Sequence, residues 1–231
     1  MLSYSSCSDF YKCPYLFQNR DELKGYSTTA MQLGANVDHL LNVLMVKNIK
    51  DPDFRRKRAI ELGFSDMIQK MADNNDICKM FDVPVFVKEW YVDFLNSGYE
   101  VVDVQPHFII EELDYHGYVD AVFKLDGQLV VVENKTTSRY YDKFFTSKKN
   151  SMQAVGYALG IETNAVRYQF FNTKDMADYC SASRFITESD VNEFKKWVSF
   201  VRDNQDKTIK NTEWCSQHDC MLRERCLYED D

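Results

Sequence analysis

A mixed α/β fold, a sheet with helices packed against it, is predicted by three observations. The first half of the 231-residue chain places apolar residues at helical spacing. The middle carries two apolar runs on either side of Asp126-Gly127, a strong two-residue hairpin signal. Beyond them a helix, a strand-like run and a second helix follow in turn. Hydrophobic residues make up 45% and charged residues 28%, enough to pack a core and too apolar for a disordered chain.

Each element has its own signal. Ser8 to Asn19 reads as a short helix disturbed by Pro14. Thr29 to Lys47 lines up Leu33, Val37, Leu40, Leu41 and Leu44 on one helical stripe. Asp51 to Met80 holds one or two helices, opened by an Asp-Pro start signal and broken near Gly63. Pro84 to Asn96 is a further helix, ended by Gly98. Residues 1–98 are thus mainly helical. Tyr99 to Ile110 is strand-like, rich in Val, Ile and Phe, and Gly117 to Leu125 and Gln128 to Thr136 form the hairpin arms. Ser151 to Ile161 is a helix and Ala165 to Asn172 a strand, so residues 99–173 are the sheet core. Glu188 to Asp203 is the last helix, followed from Trp214 by a compact Cys-bearing tail, which together make up the 174–231 part. With no repeat and no low-complexity linker, residues 1–231 read as one domain.

Composition narrows the function classes. No apolar run approaches the roughly 18 residues of a membrane span. The start, MLSYSSCSDFYKC, lacks the basic and apolar regions of a signal peptide, so the expected location is cytoplasmic. Seven cysteines, an odd number without a secretory signal, favour metal or cluster ligation over a disulfide framework. The net charge of −8 counts against nucleic-acid binding. The charge is uneven, however. Between Asn134 and Asn150 lie Lys135, Arg139, Lys143, Lys148 and Lys149 against the single acid Asp142, and only a groove must be positive to hold a phosphate backbone. Tyr140, Tyr141, Phe144 and Phe145 are interleaved there and either stack bases or tuck into the core.

The hairpin permits a geometric argument. With Asp126-Gly127 as the turn, Leu125 meets Gln128, and counting outward brings Asp120 opposite Glu133. Directly opposite Cβ atoms on one face lie roughly 4.5–5.5 Å apart. Lys135, two residues beyond Glu133, shares that face. Two carboxylates so placed repel each other, and the apolar run LVVVENK suggests that Glu133 is buried. A divalent cation between them would compensate, since hard cations such as Mg²⁺ prefer carboxylate oxygens. The alternative is a solvated hairpin face with an Asp120–Lys135 or Glu133–Lys135 ion pair.

The ordered segments Gly117-Tyr118-Val119-Asp120, Glu133-Asn134-Lys135 and Gln153-Ala154-Val155-Gly156-Tyr157 resemble the G-x-x-D, E-x-K and Q-x-x-x-Y motifs of RecB-like PD-(D/E)XK nucleases. Upstream, Gly34 to His39 (GANVDH) resembles the histidine-bearing helix of the same group. The resemblance implies a restriction-endonuclease-like core with a mixed central β-sheet flanked by helices. It implies that Asp120, Glu133 and the backbone carbonyl of Asn134 bind Mg²⁺ or Mn²⁺, with His39 as a further ligand. Lys135 would orient or activate the attacking water, and Gln153 and Tyr157, one helical turn apart, would hold the phosphate or the catalytic groups. Taken as packing residues, Tyr157 and His39 need none of these roles.

The cysteines extend the resemblance toward AddB and the CRISPR-adaptation exonucleases. Cys13 precedes a proline near the start, and Cys215, Cys220 and Cys226 lie close together near the end. In that group one early and three late cysteines hold a 4Fe–4S cluster that joins the two ends of the chain. The gap of four residues between Cys215 and Cys220, where two is the commoner spacing, and His218 within it, leave a structural Zn²⁺ site as the alternative.

The reading is therefore a Mg²⁺- or Mn²⁺-dependent deoxyribonuclease, an exonuclease on DNA ends or single strands in DNA processing, repair or recombination. Two alternatives remain: a DNA-end-binding or scaffold subunit with a retired site, and a site-specific endonuclease that recognises its target through Asp51 to Asn96. No helicase motif is present, so unwinding would fall to a helicase or recombination partner.

Overall fold

A computed structural model describes residues 1–23, 28–50, 83–137, 148–172, 178–207, 209–211, 213 and 222. The helical reading of Asp51 to Met80, the aromatic and basic residues of 138–147, and Cys78, Cys215, Cys220 and Cys226 lie outside them.

The chain opens with α1 (Tyr4–Lys12), started by Ser3, whose hydroxyl accepts from the Ser6 N–H while Ser6 returns a bond to the Ser3 N–H. The expected Ser8 to Asn19 helix is two helices. Pro14 does not disturb a helix but begins one, α2 (Pro14–Gln18), because its missing N–H is harmless in a first turn. The long helix α3 (Thr29–Lys50) and then α4 (Val83–Asn96) follow the expected stripes.

A five-stranded sheet, in the order β1-β4-β5-β6-β7, forms the centre. Its strands are β1 (Glu100–Val104), β4 (Ala121–Leu125), β5 (Gln128–Thr137), β6 (Ala165–Asn172) and β7 (Asp178–Phe185). Only the β5–β6 pair is parallel, joined through α5 (Lys148–Gly160), so the sheet is mixed. A separate two-stranded ribbon pairs β2 (His107–Ile110) with β3 (Tyr115–Tyr118). Helix α6 (Glu188–Arg202) follows β7 and is capped by reciprocal bonds between Thr187 and Asp190.

The hairpin turn is as expected. Asp126 and Gly127 both have positive φ, 50° and 85°, the type I′ geometry that favours glycine at its second position. The strands on either side depart from the expected runs. Tyr99 to Ile110 and Gly117 to Leu125 each divide between the two sheets, at Gln105-Pro106 and at Val119-Asp120. Gln105 takes φ 55°, its N–H donates to the Asp120 carbonyl at 3.0 Å, and the Val119 N–H donates to the Pro106 carbonyl at 3.1 Å. Both arms step from one sheet to the other at one place, and Asp120 sits at the step.

Helices cover both faces. On one, Leu33, Val37 and Leu41 of α3 and Trp90 and Phe94 of α4 pack against Phe123, Val130, Val132 and Phe171. On the other, Met152 and Val155 of α5 and Phe194 and Val198 of α6 pack against Val131, Val166, Tyr168 and Phe170. The result is a three-layer α/β/α arrangement consistent with the restriction-endonuclease-like fold. Among the described residues no helix is long and apolar enough to cross a membrane.

Candidate active site

The β4–β5 register runs from Ala121 with Val132 through Leu125 with Gln128, and Asp120 and Glu133 are the next residues outward on the two arms. The Asn134 N–H donates to Asp120 Oδ2 at 2.6 Å, which holds this carboxylate at the edge of the β4–β5 ladder. Glu133, on the central strand β5, is only 3% exposed. Its Oε1 receives the Lys135 ammonium and the Gln153 amide, the latter at 2.8 Å. Gln153 donates again, to Tyr157 Oη at 2.9 Å, so α5 braces the carboxylate through two side chains one turn apart. Glu133 Oε2 is buried without a hydrogen-bond partner. The structure thus brings together Asp120, Glu133, Lys135, Gln153 and Tyr157. The Glu133–Lys135 ion pair is present, but on a buried carboxylate rather than on a solvated face.

A third carboxylate joins them. Helix α3 crosses the end of β5, where a side chain at Gly34 would come within 3.1 Å of Thr136 Oγ1. One turn further along α3, Asp38 lies close enough for the charges of Asp120 and Lys135 to act on it. His39 is exposed and makes no hydrogen bond or ion pair with Asp120 or Glu133 among the described residues. The sequence reading passed over Asp38 for its neighbour. The stripe could have shown the difference, because Gly34, Asp38 and Leu41 share the face that meets the sheet, while His39 is turned about 100° from Asp38.

Crowded acids and burial set the electrostatics. Burial first, then the Asp120 charge, pushes Glu133 up to about 8 against the pull of Lys135. Burial and Asp120 likewise push Asp38 up to about 7, although Lys135 and the Asn134 amide oppose them. Burial also raises Asp120, resisted by the Asn134 N–H and by Lys135. Burial disfavours the Lys135 ammonium, but Glu133, Asp120 and Asp38 together outweigh it, and Lys135 is raised above its ordinary value. Tyr157 is raised by burial and by Glu133.

The donor chemistry fits a hard divalent cation. Three carboxylates lie at one place, and one buried carboxylate oxygen has no partner. As the side chains stand, no group of three or more His, Cys, Asp or Glu residues among those described is arranged to hold a metal ion.

Of the expected cluster ligands, only Cys13 is described. It is buried, its Sγ accepts from the Asn211 N–H at 3.3 Å, and it lies 3.7 Å from the Ile209 carbonyl. The Asn211 amide also donates to the Lys12 carbonyl, and the Tyr15 N–H donates to the Ile209 carbonyl. Cys7 is fully buried in the core, where burial pushes its thiol up to about 12, and Cys180 is half-buried on β7.

With this geometry the chain falls into a known class. The profile of the PD-(D/E)XK nuclease superfamily matches residues 1–228, and the chain belongs to that superfamily. No curated protein matches it in sequence. Among solved structures, LHK-Exo in complex with dAMP is similar over 99% of this chain and 94% of its own, with 12% identity and a TM-score of 0.47. The protein crystallised as SSO0001 is similar over 77% of this chain and 81% of its own, with 13% identity and a TM-score of 0.40.

Proposed function

We propose that this protein is a Mg²⁺- or Mn²⁺-dependent deoxyribonuclease of the RecB-like kind, acting as an exonuclease on DNA ends or single strands. The observation that carries the reading is Glu133: a buried carboxylate beside Asp120, with one oxygen unpartnered and a lysine held against the other. A fold that spent this much burial on like charges would be destabilised unless a cation offset them. Asp120 and Glu133 would hold the metal, with the Asn134 carbonyl, and Asp38 is better placed than His39 to assist. When bound, such a metal polarises the phosphoryl oxygen and lowers the pKa of water. Lys135, kept as an ammonium by its three acidic neighbours, orients water or a phosphate oxygen as a donor rather than removing a proton. Gln153 fixes the Glu133 rotamer and is itself fixed by Tyr157.

The complete Asp120, Glu133, Lys135 set argues against a retired scaffold subunit. Cleavage of labelled DNA in Mg²⁺, in Mn²⁺ and in EDTA, with Asp120→Ala as control, tests the reading. Linear and circular substrates separate exonuclease from endonuclease. Metal-independent cleavage, or cleavage that survives Asp120→Ala, would end it.

The same reading assigns Cys13, Cys215, Cys220 and Cys226 to a 4Fe–4S cluster, with structural zinc as the alternative. Its support is the buried Cys13 sulfur, already hydrogen-bonded by the backbone four residues before Cys215. A helicase or recombination partner would supply any unwinding.

A further inference from the structure

One surface is left unused by the site. The inner face of the β2–β3 ribbon is buried: Phe108 and Tyr115 pack on α5 and α6, with Phe108 5.8 Å from the Tyr157 ring. The outer face carries His107, Ile109, His116 and Tyr118, which alternate with the buried residues. Pairing sets His107 across from Tyr118 and Ile109 across from His116. Tyr118 is 61% exposed and Ile109 48% exposed. The rings are already ordered against one another. His107 and Tyr118 have centroids 4.6 Å apart, His107 and His116 5.5 Å, and the two imidazoles share a hydrogen bond of 3.2 Å. Three aromatic rings and an isoleucine on one open strand face are unusual in water, where contiguous apolar patches mark binding sites.

The position of the patch indicates its ligand. Tyr118 precedes Asp120 by two residues, at most about 7 Å along an extended chain. The two backbone bonds at the step, from the Gln105 N–H to the Asp120 carbonyl and from the Val119 N–H to the Pro106 carbonyl, tie the ribbon to the backbone of Asp120. None of the four side chains carries negative charge, in a protein whose net charge is −8. The exposed acids of the ribbon's own turn, Glu111, Glu112 and Asp114, lie at the end away from His107 and Tyr118, so a phosphodiester backbone can approach at the Asp120 end, and bases next to a phosphate there would reach the rings. Aromatic faces stack any base.

We infer that the outer face of the β2–β3 ribbon, Tyr118 and His107 above all, is a stacking platform for the unpaired bases of a single-stranded DNA end whose phosphate lies at Asp120. The inference rests on the nuclease reading and deepens it by naming an unpaired end as the substrate. Tyr118 and His107 are positioning residues; they touch bases, not the reacting phosphate.

The test uses the full-length protein with Asp120→Asn, so that DNA is bound and not consumed. Short single strands carrying 2-aminopurine near one end report stacking by fluorescence quenching, and anisotropy reports affinity. Tyr118→Ala should weaken single-strand binding roughly 5- to 150-fold, the range of one lost stacked base, and should relieve the quenching. His107→Ala should act in the same direction, and Tyr118→Trp should retain both signals. Phe185→Ala, an equally exposed aromatic on the edge strand β7, should change neither. Blunt duplex binding should be unaffected by Tyr118→Ala. Unchanged affinity and quenching in both alanine variants would overturn the platform, as would an equal loss on blunt duplex. Cleavage by the native enzyme is measured in parallel. If it persists while the platform fails, the nuclease reading stands alone; if it is absent while stacking is lost as expected, only the nuclease reading falls.

Discussion

Glu133 and its neighbours set expectations at the scale of single residues. Asp120→Ala, Glu133→Ala and Lys135→Ala should each lower the rate of DNA cleavage by a factor on the order of 100 or more, because under the proposed function each removes a group acting directly on the charged reaction centre. Gln153→Ala acts through Glu133 and should cost roughly 10- to 100-fold, with a higher metal concentration needed for half-maximal activity as its mark. Steady-state cleavage with a Mn²⁺ titration checks both. The same residues predict a pH dependence. Glu133 is raised from 4.5 to about 8 and Asp38 from 3.8 to about 7, both by burial and by Asp120. The native state therefore binds more protons than the unfolded chain between those limits. Without metal, stability is full below about pH 4 and falls as pH rises toward about 8. The raised Lys135 contributes no slope in that window, since its stabilisation is lost only above its ordinary value of 10.5. Melting in EDTA across this range should show the decline, Glu133→Gln should flatten it, and Mg²⁺ should offset it. A metal-free stability that rises from pH 5 to pH 8 would contradict the assignment of these shifts.

At the scale of elements, the brace between the ribbon and α5 is the contact most open to test. Gly160 at the end of α5 lies directly on the Phe108 ring, leaving no room for a Cβ. The contact involves the root of the ring, so the Phe108 side chain cannot simply swing its tip away. Gly160→Ala should destabilise the fold by about 1–3 kcal/mol despite alanine's better helix propensity. Because Phe108 also packs on Tyr157, activity should fall with stability. Denaturant titration together with cleavage rates checks this, and a more stable Gly160→Ala protein would show that helix propensity outweighs the packing. Elements were legible in the sequence to different degrees. The α3 and α4 stripes and the β4–β5 hairpin were readable because their signals are local: a period of 3.6 and a two-residue turn. Strand β7 was not. Its DYCSASRF segment has few large apolar residues and is a strand because β6 offers it a free edge from Ala165 to Asn172.

At the scale of the whole molecule, the N-terminal helices and residues 209–211 clasp each other around Cys13. If Cys13 is a cluster ligand, a loop of nearly the full chain is closed by metal, and binding energy becomes folding energy. Cys13→Ser should then remove iron, sulfide and stability together, each kcal/mol lost lowering the melting temperature by about 2–4 °C. Serine at Cys7 should affect only core packing, and at Cys180 little at all. Iron, sulfide and zinc analysis of protein purified without oxygen, beside thermal melts, decides between cluster and zinc. A Cys13→Ser protein with unchanged metal content would remove Cys13 from the ligand set.

The sequence by itself determined the β4–β5 register, which leaves Asp120 and Glu133 as the next residues outward, because a two-residue turn with positive φ at both positions admits one register along the arms. It determined Lys135 on the same face, and Gln153 and Tyr157 one turn apart, by strand and helix periodicity alone. Tertiary structure decided the rest. Whether Asp38 or His39 enters the site depends on the rotation of α3 against β5, and one residue on a helix is a turn of about 100°. The step at Gln105 and Val119, which sets Asp120 at the boundary of two sheets, needs both arms to change partners at once. Cys13 meets residues 209–211 through contacts nearly 200 positions apart, for which no local period or turn carries a signal.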